Sequence, residues 1–260
     1  MQTITREMRQ FESIFLRHRA DNIYDANVFT MEEELAFAGH PSLGAAALLH
    51  DLTRPAGPQA DWVLAFPNKS VSLTTKRTAY GYEGSMNQGP AEFGKILNKD
   101  ENAYFLGALG IEETDLNAAY PLQVVSTGLP YLLIPVERNA LKAAIRVTDL
   151  SQRLSEVGAQ FIGILDIPSR SIRTWDNLGR VEDIATGSLA GPAAAYLVKQ
   201  GVCKPNETIL INQGRHLGRE SKLYARVSGK GPVSQGSEQG DIYVSGDVVR
   251  IADGQLLPVA

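Results

Sequence analysis

The feature that most constrains the fold of this chain is an internal echo. Shifting the sequence by 147 residues sets Ala38, Gly44, Ala46 and Ala47 over Ala185, Gly191, Ala193 and Ala194, with Glu34 and Glu182 shortly ahead of the two segments. Each segment reads as an alanine-rich helix, over Pro41 to Leu52 and Gly191 to Gln200, entered from a strand-forming run. A duplicated strand-to-helix unit predicts two similar lobes, each with a core of its own; two unrelated helices that happen to share alanines are the alternative. Residues 1–108 are expected to form the first lobe, joined by a strand near 249–260, and residues 109–260 the second.

Local patterns fill in the lobes. Met1 to Gln10 reads as a short helix and Ser13 to Leu16 as the start of a strand, which places Glu12 at a helix-to-strand corner. In the first half, strands are expected over Asn27 to Thr30, Trp62 to Phe66, Val71 to Thr75 and Thr78 to Tyr82, with a loop from Met31 to Phe37 and a turn at Pro67-Asn68. Pro90 to Asn98, Glu101 to Leu109, Ala140 to Val147 and Leu150 to Val157 read as helices. Further strands are expected over Gln123 to Ser126, Tyr131 to Val136, Gln160 to Leu165, Ser171 to Trp175, Ile209 to Ile211, Lys222 to Val227, Ile242 to Val244 and Val248 to Ile251.

Composition narrows the function classes. With 260 residues, 43% of them hydrophobic, the chain can bury a sizeable core without staples, and its net charge of -4 offers no basic field for a phosphate backbone. Nucleic acid is therefore not an expected partner. One cysteine, Cys203, excludes an intramolecular disulfide, and four scattered histidines show no metal-ligand spacing, so no metal is expected. The polar, charged start lacks the apolar stretch of a signal peptide, and the longest apolar run is too short to span a membrane. The expected location is cytoplasmic.

The two helix starts are where chemistry can be placed. The first backbone N–H groups of a helix have no intrahelical acceptor and the helix dipole is positive there, so small residues at that point let an anion approach. Gly39-His40 and Thr186-Gly187-Ser188 have that character. If the lobes face each other, both ends would receive a carboxylate-bearing ligand and stabilise charge that develops on proton loss. The plainer reading makes Thr186 and Ser188 N-caps and Gly39 a turn glycine. Glu12 lies between Phe11 and the pair Ile14-Phe15; apolar surroundings would favour its protonated form, as an acid or base working near neutrality needs, whereas a solvated strand-edge carboxylate would do nothing of the kind. Asp183 is either a second acid or the cap of the following turn, and His40, just before Pro41, is either a hydrogen-bond donor to a ligand or structural. Tyr80, Tyr82, Met86 and Trp175 suit pocket walls and core equally. Gln213 to Arg219 carries two glycines but no Gly-Lys-Ser/Thr, so it reads as a turn rather than a phosphate loop. Cys203 has no basic neighbour in sequence to activate it.

Four separated blocks then add up to a resemblance. Met1 through Glu12-Ser13, Glu34 through Gly39-His40-Pro41 to Gly44, Val181-Glu182-Asp183 through Gly187-Ser188 to Pro192, and Gln213-Gly214 with Gly218-Arg219 resemble the PhzF-like (phenazine biosynthesis) family in order and spacing, essentially end to end. The resemblance implies an α+β fold of the diaminopimelate-epimerase type, two pseudo-symmetric lobes in which a sheet wraps around a central helix. It also implies a cofactor-independent isomerase that relocates a proton without metal, PLP or nucleotide on a small acidic substrate. Glu12 matches the family's proton-carrying glutamate, assisted by positions matching His40, Asp183 and Ser188, with substrate contacts at Gly39, His40, Gly187 and Ser188. The related epimerases carry a cysteine at each helix start, where this chain has Gly39-His40 and Gly187-Ser188, which argues against two-thiol racemisation. The chain departs from the family pattern at Ile184 and Glu220, where proline is usual. The family's first strand, with its Gly-Asn-Pro segment, also lies ahead of the point where this sequence starts, and an uncovered sheet edge there leads to the expectation of a homodimer.

Three functions stay open on these grounds: an isomerase, a non-catalytic small-molecule binding protein, and an amino-acid epimerase. They differ in Glu12. An isomerase needs it for turnover, a binding protein does not need it at all, and an epimerase needs a second acid/base group of equal weight.

Overall fold

The structure is a computed structural model and describes residues 1–10, 12–229 and 240–256. Phe11 and the last part of the expected 249–260 strand lie outside the described residues. The chain divides into two compact units, Met1–Met86 with Ser245–Ala260, and Asn87–Val244.

The first unit begins with α1 (Gln2–Met8), then β1 (Ser13–Ala20), β2 (Ile23–Phe29), the two-residue β3 (Glu34–Leu35), α2 (Gly39–Thr53), β4 (Gln59–Ala65), β5 (Ser70–Arg77) and β6 (Tyr82–Pro90), the last of which carries the chain out of the unit. Its strands run in the order β1-β2-β4-β5-β6, with β3 beside β2. β2 and β4 pair in parallel, and their connection includes α2, as a parallel crossover requires. Ala45, Ala46 and Leu49 of α2 pack on Val28, Trp62, Leu64 and Leu73 of the sheet. The other side of α2 exposes Leu48 and Leu52, so the sheet covers one flank of this helix.

A polar network locks this core. The indole N–H of Trp62 donates to Thr75 Oγ1 at 2.9 Å, and His50 spans Thr75 Oγ1 (2.8 Å) and the Gly57 carbonyl (3.1 Å). His50, Thr75 and Trp62 are all buried. Replacing Thr75 with valine keeps the shape but strands the indole N–H and one imidazole nitrogen. We expect a loss of about 2–4 kcal/mol in denaturant unfolding, since each unsatisfied buried group costs about 1–3 kcal/mol; a loss under about 0.5 kcal/mol would show that the network carries no weight.

The second unit holds β7 (Glu92–Ile96), α3 (Lys99–Leu109), β8 (Gln123–Ser126), β9 (Pro130–Val136), α4 (Ser151–Glu156), β10 (Phe161–Asp166), β11 (Ser171–Arg173), α5 (Gly187–Lys199), β12 (Thr208–Gln213), β13 (Ser221–Val227) and β14 (Asp241–Val248). Its strand order is β14-β13-β12-β11-β10-β9-β8-β7. Here the helix is central: every residue from Leu189 to Leu197 is buried, against Val125, Leu133, Leu165, Ile209 and Ile211. A run of alanine and glycine is what lets a helix be enclosed on all sides at close range. At Gly191 a Cβ would sit 2.0 Å from Gln88 Oε1, and at Gly163 of β10 one would meet Leu189 Cδ1 at 2.7 Å.

Several expectations need correction. The boundary falls after Met86 rather than at 108, because β7 pairs with β8 and Phe105, Leu106 and Leu109 of α3 enter the second unit's core. The chain returns to the first unit from Ser245, but as the end of β14; residues 249–256 carry no strand, so the expected strands at Val248 to Ile251 and 249–260 are not found in the described part. Pro90 to Asn98 is not a helix: proline closes β6, β7 follows, and Asn98 instead caps α3, accepting from the Glu101 N–H in a capping box. Thr78 to Gly81 is a turn, closed by the Thr78 N–H to Gly81 carbonyl bond, and β6 starts only at Tyr82. Ala140 to Val147 is a single 3-10 turn over Ala140–Lys142 followed by irregular chain, because the carbonyls of Ala140 and Ala143 accept from Arg173 and the N–H groups of Ala144 and Arg146 donate to Leu109 and Ala108. The echo also has a different register. The helix N-caps are Ala38 and Thr186, an offset of 148, which superposes Ala45-Ala46-Ala47 on Ala193-Ala194-Ala195.

Candidate active site

In the first unit, α1 is tied down by its side chains: Gln2 Nε2 donates to the Thr30 carbonyl at 2.7 Å and Arg6 Nε to the Met31 carbonyl at 2.8 Å. The corner that follows delivers Glu12 to the start of α2. Glu12 Oε2 lies 3.3 Å from His40 Nε2; the carboxylate side chain is 11% exposed and the imidazole 58%. His40 is the second residue of α2 and Gly39 the first, which places both at the positive end of the helix dipole. Ser42, one turn further, returns its hydroxyl to the Ala38 carbonyl at 2.6 Å and fastens this helix start. Met86 lies under Gly39, its Cε 3.8 Å from where a Cβ would be. Sequence spacing brought Glu12, Gly39 and His40 into consideration separately; the structure puts Glu12 and His40 in contact.

In the second unit, Asp183 and Ser188 sit on the turn into α5. The Asp183 carboxylate accepts from the Ala185 N–H (3.2 Å) and from the Thr186 hydroxyl (2.6 Å). Gln213 closes the same turn: its Oε1 accepts from the Thr186 N–H at 2.8 Å, and its Nε2 donates to the Asp183 carbonyl at 2.8 Å and to Thr186 Oγ1 at 2.9 Å. Thr186 is the N-cap by position, but its hydroxyl is spent on Asp183, so no side chain caps α5. Ser188 is not a cap. It stands at the second helical position, with its hydroxyl 2.8 Å from the Tyr131 phenol. Burial pushes that phenol up to about 12. Gln88 Nε2 holds the Gly187 carbonyl at 3.1 Å, itself held by Thr127.

Behind that turn lies a buried ion pair. Arg173 Nε and Nη2 donate to the two oxygens of Glu182 at 2.7 and 2.8 Å, and His216 Nε2 lies 3.0 Å from Glu182 Oε1. Burial raises the Glu182 carboxyl, but Arg173 and then His216 outweigh it and hold the carboxyl below its ordinary range. Next to this pair is a cavity of about 890 Å³ lined by residues that include Lys142, Arg173, Gln213, Arg215, His216 and Glu220. Its lining includes none of Glu12, His40, Asp183 and Ser188, so this cavity and the predicted site residues are different places. The Gln213 to Arg219 segment forms its rim as a 3-10 turn, Arg215–Leu217, between Gly214 and Gly218, both left-handed.

Sequence reasoning missed Tyr131, Gln213 and Arg173. Gln213 stood inside a recognised block, but nothing marked its side chain as the clamp of a turn thirty residues earlier; Tyr131 reads as one more residue of a continuous apolar strand. Of the four residues undecided between wall and core, Met86 and Trp175 are core, Tyr82 donates to Asp51 at 3.1 Å, and Tyr80 is fully exposed on a turn. Cys203 is buried in the α5 core, where burial pushes its thiol up. Among the described residues no His/Cys/Asp/Glu group is arranged to hold a metal, and no helix is long and apolar enough to cross a membrane.

The architecture defines the class first. A phenazine biosynthesis protein of Bacillus anthracis matches 99% of this chain and 88% of its own with a TM-score of 0.78 at 19% identity, and a hydroxyproline epimerase of Agrobacterium vitis matches 90% and 71% with a TM-score of 0.60 at 14% identity. These likenesses establish the diaminopimelate-epimerase-like fold. A family model described as phenazine biosynthesis-like protein matches residues 1–254. The chain belongs to this PhzF family and is an isomerase of the family's type. It is 28% identical to a trans-2,3-dihydro-3-hydroxyanthranilate isomerase of Pseudomonas aeruginosa over 98% of this chain and 87% of that protein. A structure described as a predicted epimerase from the same organism shares 45% identity, with a TM-score of 0.87 over 99% of this chain and 88% of that one.

Proposed function

We propose that this isomerase moves a proton on a small carboxylate-bearing metabolite with Glu12 as the general acid/base. The observation that carries the reading is the pairing of Glu12 with His40 at the start of α2. Glu12 takes the proton from a carbon beside the ligand's unsaturated system; the C–H electron pair moves into that system as a dienolate, and the same carboxyl, after exchanging its proton with solvent, delivers one to another carbon. Nothing is oxidised and no atom is lost. His40, 3.3 Å from Glu12 Oε2, holds the carboxylate in place at the start of α2. In the second unit, the N–H groups of Gly187 and Ser188 with the Ser188 hydroxyl are suited to receive an anionic group of a ligand, and in the first unit the positive end of α2 lies beside Glu12. Asp183, with both oxygens occupied by its own turn, serves as the anchor that fixes Gly187 and Ser188.

The reading is tested by incubating the protein with trans-2,3-dihydro-3-hydroxyanthranilate in D2O and following the proton spectrum. The expected result is a shifted double bond with deuterium at the carbon that receives the proton. A compound that binds without conversion or exchange would leave a binding protein; exchange that inverts a centre without moving the double bond would make it an epimerase.

A further inference from the structure

Ser188 Oγ and the Tyr131 phenol share one hydrogen bond, 2.8 Å long, and either oxygen can be its donor. Burial decides which. Tyr131 lies in the α5 core among Val125, Leu133 and Phe161 and is 3% exposed. It stays a protonated phenol across the working range of pH, so it always has a proton to place. No second acceptor for that proton stands among the described residues. If Ser188 were the donor, the phenol O–H would be left buried without an acceptor, which costs about 1–3 kcal/mol. Ser188 is only half-buried, so its own proton can reach water or a ligand at the helix start. A phenol is also the stronger acid of the two and the better donor.

We propose that Tyr131 is a positioning residue that donates to Ser188 and thereby turns the Ser188 hydroxyl into a donor reserved for an anionic group of the ligand. A serine in the first turn of a helix otherwise bonds to a nearby backbone carbonyl and is lost to the ligand. With Tyr131 filling one lone pair, the Ser188 proton has no local acceptor and stays available beside the Gly187 and Ser188 N–H groups. The bond is also polarised in the right direction: a hydroxyl that accepts from one side donates more strongly on the other. The arrangement goes one step beyond the proposed function and rests on it where it assigns the ligand's carboxylate to this helix start.

Two measurements test it. Neutron diffraction on deuterated crystals places the shared deuteron without any ligand: density on the Tyr131 oxygen, aimed at Ser188 Oγ, is expected, and density on Ser188 aimed at Tyr131 would overturn the proposal. Calorimetric titration with 3-hydroxyanthranilate, the aromatic and unreactive analogue of the substrate named above, follows for the native chain, Tyr131→Phe, Ser188→Ala and the double variant. Ser188→Ala should weaken binding about tenfold, as loss of a hydrogen bond to a charged group does. Tyr131→Phe should weaken it about three- to tenfold, and adding Tyr131→Phe to Ser188→Ala should cost nothing more. An equal loss in both backgrounds would make Tyr131 merely structural and refute the proposal. If Ser188→Ala binds as well as the native chain, the assignment of the carboxylate to this helix start fails, whatever the neutron density shows.

Discussion

Glu12→Gln should lower kcat for isomerisation by at least about a thousandfold while leaving fold and ligand affinity almost unchanged. The amide keeps the size of the carboxylate and can still meet His40 Nε2, 3.3 Å away in the native chain, so the corner between α1 and β1 has no reason to move. What the amide cannot do is accept a proton from carbon. General acid/base groups contribute about 10²–10⁴-fold, and a residue that both removes and returns the proton lies at the upper end. The dissociation constant for 3-hydroxyanthranilate should change by less than about threefold, since the loss is confined to the transition state. His40→Asn should cost less, about 10–100-fold, because it loosens the carboxylate without removing it. Equal losses at both positions, or turnover surviving in Glu12→Gln, would assign the proton transfer to another group.

The largest stability effect should come from Glu182→Ala. Arg173 is 9% exposed at its side chain, and its guanidinium makes two bonds to Glu182 and one each to the carbonyls of Ala140 and Ala143, with its carbon 4.6 Å from the centre of the Trp175 ring. Removing the carboxylate leaves a buried cation without its counter-ion, which costs about 3–5 kcal/mol. For a chain of this size that is a fall in Tm of about 10 °C. The pair also sets an acid limit. Because the folded carboxyl titrates below the usual 4.5 of the unfolded chain, its contribution is complete above that value and disappears as pH falls through the folded one. The native protein should therefore lose stability steeply below about pH 4.5, and Glu182→Ala should show a flatter acid limb. A variant that melts within 2 °C of the native chain, with the same acid limb, would show that the pair is not part of what holds the 139–143 turn to β11.

How much of this was legible in the sequence depends on how local the determinant is. The alanine runs announce α2 and α5, because small side chains at helical spacing have few other uses, but the helices begin at Gly39 and Gly187, ahead of the expected Pro41 and Gly191, and neither start carries a side-chain cap. The register of the repeat was harder to read: Ala45 to Ala47 and Ala193 to Ala195 match at an offset of 147 or 148 nearly equally well, and only the N-caps Ala38 and Thr186 decide. Segments whose backbone is claimed by distant partners were misread. Ala140 to Val147 has good helix formers, yet Arg173 takes its carbonyls and the end of α3 takes its N–H groups. Pro90 to Asn98 looked helical because a proline so often opens a helix, while here it ends a strand and Asn98 is the cap. The residues proposed for chemistry came from motif order, which located Glu12, His40, Asp183 and Ser188. Their partners Tyr131 and Gln213 are 57 and 30 residues away from Ser188 and Asp183 in sequence, and no pattern within a window could couple them.

The pairing of Glu12 with His40 gives a reason for the cluster at the start of α2, and the Tyr131–Ser188 bond gives one for the start of α5.

The measurement that tests the central claim most directly is a crystal structure of the Glu12→Gln variant with trans-2,3-dihydro-3-hydroxyanthranilate bound, since the amide should trap the complex before proton transfer. The account predicts the side chain at position 12 within about 3.5 Å of the ring carbon that loses its proton, with His40 still beside it. A ligand seated instead in the cavity beside Lys142 and Arg215, with no contact to position 12, would contradict it.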